Sequence, residues 1–272
     1  MCESRARARI ASLPMYPSNR PQVQAWWSTL ATRLADLGVP DAPATLAWPD
    51  QLPEHWTAPE LLLSQACGYP LVTFLDARVQ VVGALHYRAP GCSGVFNRSQ
   101  VIVRDKHPAR NLQDLRGTTV AFNGTDSQSG YNALLAMVAT LGGGNTFFSG
   151  RVHTGSHQDS VLAVRDGLAD VAAIDCVSLA GLQRHQPQVT RGVRVLAQSE
   201  AYPSLPLITS TCTSASDLAA LRAALSWSMQ EPALAQVRAD LFMSAFEPLG
   251  RADYQICHAM REQSVARGSS AL

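Results

Sequence analysis

The chain has 272 residues, enough to bury a sizeable core as one large domain or as two lobes. Its formal net charge is +1 and it contains no long basic run, which argues against a nucleic-acid-binding surface. No apolar stretch approaches the roughly 20 residues needed to span a bilayer, and the segment from Met1 to Arg9 lacks the pattern of a signal peptide. The sequence as written therefore predicts a cytoplasmic protein.

The first part of the chain alternates between predicted strands and helices. A short strand at residues 9–13 precedes a helix at 23–37, whose apolar residues recur at helical spacing. A loop rich in proline follows, and then a strand at 61–65, a helix at 71–75 and a strand at 79–87.

Two segments rich in turn formers divide the chain. We interpret residues 88–94 as a first crossing between lobes and the return of the chain after Pro187 as a second crossing. The predicted first lobe is discontinuous and comprises residues 8–90 and 193–272. The predicted second lobe comprises residues 91–192.

The second predicted lobe continues the alternation. Its predicted strands lie at 100–104, 118–122, 147–152 and 170–175, and a helix follows each of the last three. The C-terminal part adds strands at 193–197 and 207–210 and helices at 215–229 and 252–265, the last of which we expect to pack on the first lobe. This alternation indicates α/β lobes with largely parallel sheets.

The most informative stretch, residues 123–131, connects a predicted strand to a predicted helix. The first N–H groups of a helix lack internal partners and carry partial positive charge. Ser127 and Ser129 add hydroxyl donors there, and Gly130 allows a ligand to approach the backbone. The stretch therefore predicts a site for an anion. The alternative is an ordinary N-cap, since Asp and Ser are favoured at that position.

Other polar or aromatic residues also follow predicted strands, where ligands of open α/β sheets bind. They are Tyr16, Tyr69, Ser156, His157 and Asp175. Each has an alternative: the tyrosines could pack for structural reasons, Ser156 could cap the next helix in a capping box with Asp159, His157 could be a cap or a surface histidine, and Asp175 could cap the next helix.

The sequence contains no recognisable catalytic, metal or cofactor motif. It has no Gly-x-Ser-x-Gly elbow, phosphate-binding loop with lysine, or metal-binding histidine pair. The six cysteines include no Cys-x-x-Cys pair, and no base is evident that would make Cys176 a nucleophile. Cys67 and Cys92 are expected to be free thiols, and to form a disulfide only in an exported protein.

Several of these segments together resemble a known family. Residues 114–122, 126–131, 155–157 with 161–164, 170–175 and 201–207 are similar to the signature of phosphonate-, phosphite- and phosphate-binding proteins of ABC importers. The resemblance implies the two-lobed type II periplasmic-binding-protein fold, with a ligand cleft that closes between the lobes.

The resemblance also implies roles for individual residues of this chain. Ser127, Ser129 and His157 would hold the phosphoryl group, and Tyr16 and Tyr69 would line the side of the cleft that the first lobe forms. The predicted ligand-binding set also includes neighbouring and strand-end residues, namely Gln128, Gly130, Tyr131, Ser156 and Asp175. Gln128 departs from the family, because small hydroxyl residues are common at its position. The missing export signal and the additional Cys67 and Cys92 are further departures.

Our main hypothesis is a solute-binding protein for a small phosphoryl-type oxyanion, monomeric and serving an ABC permease, without cofactor or metal. It would be periplasmic if an upstream signal had been removed. An ionised Asp175 accepts hydrogen bonds only, so it would favour a protonated phosphoryl group or an amine-bearing phosphonate over sulfate.

Two alternatives stay open at this point. One is a cytoplasmic enzyme on the same fold, as in the menaquinone pathway, that uses His157 or Asp175 for acid–base chemistry on a carboxylate. The other is a cytoplasmic ligand sensor that acts on a protein partner.

Overall fold

The structure is a computed structural model and describes residues 8–272. The prediction about a signal peptide concerns the N-terminal segment, most of which lies outside the described residues. Within residues 8–272, no helix combines the length and the apolar character that crossing a membrane requires. The described chain forms two compact units. The first comprises the residues up to Arg88 together with Pro203–Asp253, and the second comprises Ala89–Tyr202 and Tyr254–Leu272.

Strands and helices alternate along most of the chain. The strands are β1 (Ile10–Ser12), β2 (Leu61–Gln65), β3 (Val79–Tyr87), β4 (Phe96–Asn97), β5 (Ser99–Arg104), β6 (Thr119–Phe122), β7 (Gly150–His153), β8 (Val171–Asp175), β9 (Val193–Gln198), β10 (Tyr202–Pro203), β11 (Pro206–Ser210) and β12 (Met243–Glu247). The helices are α1 (Arg20–Asp36), α2 (Leu52–Trp56), α3 (Gly68–Val72), α4 (Ala133–Ala139), α5 (His157–Arg165), α6 (Cys176–His185), α7 (Pro187–Thr190), α8 (Ala215–Ser228), α9 (Ala235–Asp240) and α10 (Gln255–Ala266). A π-helical turn, Gln128–Asn132, leads directly into α4.

The first unit is built on a five-stranded sheet in the order β1-β2-β11-β3-β12. β1 runs parallel to β2, whereas β11 is antiparallel to β2 and β3, and β12 is antiparallel to β3. Helix α1 packs against α8 and α9 in this unit. Its two tryptophans, Trp26 and Trp27, are fully buried, and the Trp27 Nε1–H donates to the Pro43 carbonyl at 2.7 Å.

The second unit has a five-stranded sheet in the order β7-β6-β8-β5-β9. β6 runs parallel to β7 and to β8, so the carboxyl ends of these three strands lie at one edge. Alternate residues of a strand point to opposite faces. Thus Val171 and Ala173 of β8 join one apolar cluster, with Leu134 and Leu135, and Ile174 joins another, with residues of α5 and α6. Helices therefore cover both faces of this sheet.

The predicted α/β class is correct, but the prediction of largely parallel sheets is wrong. β5 is antiparallel to β8 and β9 in the second unit, and β11 is antiparallel to both of its neighbours in the first unit. Each of these two strands follows soon after the chain changes unit. Neither is joined to its neighbours by the strand–helix–strand connection that makes neighbouring strands parallel.

The C-terminal assignment of the predicted first lobe also needs correction. Strand β9 pairs with β5, and the segment from Tyr254 to Leu272 belongs to the second unit. Helix α10 packs on α4, and the Leu272 N–H donates to the Tyr131 hydroxyl at 3.2 Å. The chain consequently changes unit after Arg88, Tyr202 and Asp253, three times instead of the predicted two.

Candidate functional site

Three helical segments begin at one edge of the second unit's sheet. They start at Gln128 after β6, at His157 after β7 and at Cys176 after β8. Ligands of open α/β sheets bind beyond the carboxyl ends of the strands, where helix starts present N–H groups that their own helix does not use. This edge is therefore the candidate site of the second unit.

The first of these helical segments opens with a π-turn. The Asn132 N–H donates to the Ser127 carbonyl at 3.0 Å, and the Ala133 N–H donates to the Gln128 carbonyl, each five residues back. The Ser127 hydroxyl caps the turn by accepting a hydrogen bond from the Gly130 N–H at 3.0 Å. Such π-turns are frequent at functional sites. Because Ser127 supplies the cap, the hydroxyl of Ser129 is available for another partner.

That partner is a histidine on the next helix. The Ser129 Oγ lies 2.9 Å from the Nε2 atom of His157, the first residue of α5. The Ser99 hydroxyl donates to the Ser129 carbonyl at 2.8 Å and contacts the Tyr202 hydroxyl at 2.7 Å. Since Ser99 has one proton, directed at Ser129, the Tyr202 hydroxyl is the donor in the second contact. These bonds fix the position of Ser129, and the sequence did not identify Ser99 or Tyr202 as part of the site.

His157 is neutral at neutral pH. The residue as a whole is partly exposed, but its Nδ1 atom is buried and has no hydrogen-bond partner among the described residues. Desolvation by burial lowers the pKa of His157 to about 4. A neutral imidazole has one N–H donor and one acceptor nitrogen. If the proton is on Nε2, His157 donates to the Ser129 oxygen, and the Ser129 proton is then available to a ligand.

Gly130 is required by close packing within the second unit. A Cβ atom at this position would lie 1.9 Å from Asn123 Oδ1 and 3.1 Å from His157 Cε1. Asn123 Oδ1 is itself buried and accepts no hydrogen bond from the described residues. The sequence suggested that Gly130 makes room for a ligand. In the structure the missing Cβ lets Asn123 lie against the turn that carries Ser127 and Ser129, which is called the serine turn below. The approach of a ligand to Gly130 stays a prediction.

At the other two helix starts, the capping side chain bonds to a backbone N–H group of its own helix. The Ser156 hydroxyl accepts from the Asp159 N–H at 3.0 Å and donates to the Asp159 carboxylate at 2.7 Å, which confirms the predicted cap at α5. Asp175 accepts from the Ser178 N–H at 2.8 Å and so caps α6, the alternative that the sequence left open for it. Both side chains were predicted to bind ligand, and both already have partners in their own helices.

Asp175 is buried, whereas the prediction about sulfate assumed an ionised side chain that faces the ligand. It is 4% exposed, and burial raises the pKa of its carboxyl group, although hydrogen bonds from Ser178, Val177 and Asn97 act in the opposite direction. Burial thus makes ionisation of this carboxyl group less favourable than that of a free aspartate. The predicted rejection of sulfate stays a prediction.

Two further predicted residues turn away from the site. The Gln128 side chain is 2% exposed, and its Nε2 donates to Met260 Sδ at 3.2 Å. The Tyr131 ring is 4% exposed, packs edge-on against Phe122, and lies under the guanidinium group of Arg261. These side chains hold the serine turn against α10 and the apolar core, so the expectation that they contact a ligand is not supported.

The two tyrosines of the predicted set belong to the first unit. Tyr16 is 6% exposed and packs edge-on against Tyr87, with ring centroids 5.7 Å apart. Tyr69 is the second residue of α3, and its carbonyl accepts from the Thr73 hydroxyl at 2.8 Å. The packing of Tyr16 agrees with the alternative that this residue has a structural role. A ligand contact by Tyr16 or Tyr69 stays a prediction.

Cysteine and metal chemistry do not add to this site. In residues 8–272 no group of three or more His, Cys, Asp or Glu side chains has an arrangement that would hold a metal ion. The structure has no disulfide between Cys67 and Cys92, in line with the expectation of thiols. The Cys92 sulfur lies instead 3.4 Å from that of Cys176.

Comparison with known structures shows the fold. A binding-protein component of an ABC phosphonate transporter from Pseudomonas aeruginosa matches with a TM-score of 0.77 at 16% identity, over 96% of this chain and 88% of that one. PhnD1 from Prochlorococcus marinus, in complex with methylphosphonate, matches with a TM-score of 0.73 at 12% identity, over 94% and 97% of the two chains. A Xanthomonas citri protein bound to ATP matches with a TM-score of 0.69 at 18% identity, over 96% and 99%. The predicted periplasmic-binding-protein fold is confirmed.

Comparison by sequence shows the family. A search of curated proteins returned no significant match. The profile of the family described as "ABC transporter, phosphonate, periplasmic substrate-binding protein" matches residues 68–254, which is more than half of the chain. This match includes the serine turn, His157 and Asp175, and it favours the solute-binding hypothesis over the enzyme. The chain belongs to the phosphonate-type periplasmic substrate-binding proteins of ABC transporters, a family of solute-binding proteins.

Proposed function

We propose that this protein captures a small phosphoryl-type oxyanion, such as a phosphonate, phosphite or phosphate, at the serine turn of its second unit. The donors are the Ser127 and Ser129 hydroxyls and the N–H groups at the start of the π-turn, and His157 orients Ser129. The observation that carries the proposal is the 2.9 Å contact between Ser129 and His157, which joins two helix starts at one edge of the sheet.

The chemistry of these groups suits a phosphoryl oxyanion. Helix starts attract anions through their N–H groups and through the helix dipole. A neutral His157 that donates from Nε2 to Ser129 aligns the Ser129 proton with the ligand. A hydrogen bond to a charged group contributes about 1.5–3 kcal/mol, so two hydroxyls and a few N–H groups suffice for strong binding.

The ligand should also change the protonation of His157. In the free protein, burial holds the pKa of this histidine at about 4. An anion close to the ring favours the imidazolium form and so raises the pKa. Above about pH 4, and up to the raised pKa of the bound state, binding should therefore be accompanied by proton uptake, and the imidazolium would have donors at both nitrogens.

The family membership supports a wider context. We infer that the protein is periplasmic, that it delivers its ligand to the permease of an ABC importer, and that it acts as a monomer. Size-exclusion chromatography with light scattering should give the mass of one chain, both with and without ligand. A stable dimer would contradict this part of the proposal without affecting the ligand.

A ligand panel tests the central claim. Thermal unfolding should be followed with phosphate, phosphite, methylphosphonate and an aminoalkylphosphonate, and with malate as a carboxylate. At a hundred times its dissociation constant a ligand stabilises the native state by about 2.7 kcal/mol. For a chain of this size that corresponds to a rise in Tm of roughly 5–10 °C. If malate raises the Tm and no phosphoryl compound does, the proposal is wrong.

A pair of matched variants tests the location. Ser129→Ala removes the hydroxyl directed at His157, and it should raise the Kd about 5-fold to 150-fold, which corresponds to about 1–3 kcal/mol. Ser156→Ala removes a hydroxyl from a neighbouring helix start where the hydroxyl is used within the helix. It should leave the Kd unchanged. Equal effects of the two variants would place the ligand elsewhere.

A further inference from the structure

The second unit contains a pair of cysteines with no part in the proposed ligand site. Cys92 lies in the turn that follows the first change of unit, and Cys176 is the first residue of α6. They are 84 positions apart in sequence, but their sulfur atoms lie 3.4 Å apart. We propose that Cys92 and Cys176 form a reversible disulfide, so that this pair is a site of oxidative modification.

The backbone around the pair holds the two cysteines close together. At Gly91, whose φ is +104°, a Cβ atom would lie 3.0 Å from Cys176 Cβ and 2.5 Å from Gln100 Nε2. The Gln100 side chain donates to the Pro90 carbonyl at 2.8 Å, and the Cys92 N–H donates to the Ala89 carbonyl at 3.0 Å. The turn is thus held directly against the start of α6, and the closeness of the sulfurs follows from the backbone.

The geometry requires only a small movement. A disulfide has sulfur atoms about 2.05 Å apart, so the two sulfurs must approach by about 1.4 Å from their present 3.4 Å. Cys176 is 1% exposed, whereas Cys92 is partly exposed to solvent. An external oxidant therefore reaches Cys92 first.

The reaction is a thiol–disulfide exchange with a low-molecular-weight disulfide such as oxidised glutathione. The Cys92 thiol loses its proton and its sulfur attacks one sulfur of the oxidant, whose S–S bond breaks and releases one thiol. Cys176 then loses its proton and attacks the Cys92 sulfur, which forms the intrachain bond and releases the second thiol. The two protein thiols are oxidised by two electrons, and the external disulfide is reduced to two thiols.

The order of the two attacks is also consistent with the ionisation of Cys176. The contact with Cys92, burial and the nearby Asp175 all raise the pKa of the Cys176 thiol. Cys176 therefore stays protonated in the reduced protein, and the thiolate is the attacking species in such exchanges. Cys92 is the residue that starts the reaction.

Peptide mapping tests the proposal on the intact chain. Trypsin releases Cys92 in peptide 89–98 and Cys176 in peptide 166–184, each with a single cysteine. After incubation with oxidised glutathione, denaturation and alkylation, these two peptides should be recovered as one disulfide-linked species, and dithiothreitol should separate them. Recovery of both peptides in alkylated form, or of Cys92 as a lasting mixed disulfide with glutathione, would overturn the proposal.

Two variants and a stability measurement complete the test. Cys92→Ser should abolish the linked species, and Cys257→Ala, at a buried cysteine of the same unit, should leave it unchanged. A disulfide that closes a long loop stabilises the folded state, so the oxidised wild type should have a Tm roughly 5–10 °C above that of the reduced form. A link between peptides 89–98 and 166–184 that persists in Cys92→Ser, or a link from Cys92 or Cys176 to any other cysteine, contradicts the assignment. A linked peptide that contains Cys212 does not count, because Cys212 is disulfide-bonded in the structure.

Discussion

Two kinds of helix start lie at the same edge of the second unit's sheet. At Ser156 and Asp175 the side chain bonds back into its own helix, so its hydrogen-bonding capacity serves the fold. At the serine turn, capping the helix and contacting a neighbouring helix are carried out by two different serines. Ser127 caps the turn, and the hydroxyl of Ser129 bonds to His157 on another helix.

The comparison shows which feature separates a cap from a binding site. Serine and aspartate are favoured at every N-cap, so their presence after a strand carries little information about ligands. A second hydroxyl that the cap does not need, held beside a neutral histidine, is more informative. The predictions below test whether this difference is functional.

The largest effect is expected from Gly130→Ala. The new methyl group would lie 1.9 Å from Asn123 Oδ1, so either the turn or Asn123 must move. Overpacking typically costs about 1–3 kcal/mol, and a clash this close should lie at the upper end. We expect a Tm lower by roughly 6–12 °C. Binding of the phosphoryl ligand should weaken by more than tenfold, as measured by calorimetry.

A double variant and a control separate this explanation from a general loss of stability. Asn123→Ala combined with Gly130→Ala removes the clashing oxygen and should restore most of the lost stability. Gly250→Ala adds a methyl group whose nearest neighbour is Asp253 Oδ2 at 3.8 Å, an ordinary contact, so it should have little effect. If the double variant is no more stable than Gly130→Ala alone, Asn123 is not the cause.

The next effect concerns the pH dependence of stability in the ligand-free protein. The pKa of His157 is lowered to about 4 in the folded state, whereas an unfolded histidine has a pKa of about 6.5. Between these values the unfolded chain binds a proton that the folded chain does not, so the free energy of unfolding falls as the pH falls. Because the residue is partly exposed, we expect a loss of about 1–2 kcal/mol between pH 7 and pH 4 from His157.

Denaturant unfolding at several pH values measures this contribution. In His157→Gln the fall in stability between pH 7 and pH 4 should be smaller than in the wild type by that amount. His153→Gln, at an exposed position of the same unit, is the matched control for the loss of a histidine side chain. A parallel pH dependence in the wild type and His157→Gln would show that His157 is not held neutral by the fold.

Much of the fold was predictable because local patterns were strong. The strands of the second unit's core are continuous apolar runs, and the residues of Val171–Asp175 are all buried, as such a run predicts. The predicted helix at 215–229 differs by one residue from Ala215–Ser228. The short elements α2, α7 and α9 and the partly buried strand β12 were missed, because segments of four to six residues carry little periodicity.

The site was predictable only in part, for a different reason. The positions of Ser127, Ser129 and His157 follow from the succession of strands and helices, which the sequence shows. The inward direction of Gln128 and Tyr131 depends on α10 and Leu272, which approach from the far end of the chain. Ser99 and Tyr202 reach Ser129 through contacts 30 and 103 positions apart in sequence, which no local pattern records.

The smallest effect is expected at the helix start that serves the fold alone. Ser156→Ala removes the hydroxyl that accepts from the Asp159 N–H and donates to the Asp159 carboxylate. Loss of an N-cap costs about 1 kcal/mol, or a Tm lower by roughly 2–4 °C. Because that hydroxyl is used within its own helix, ligand affinity should stay within twofold of the wild type. A tenfold loss of affinity with an unchanged Tm would reverse the assignment, and would make Ser156 a ligand contact like Ser129.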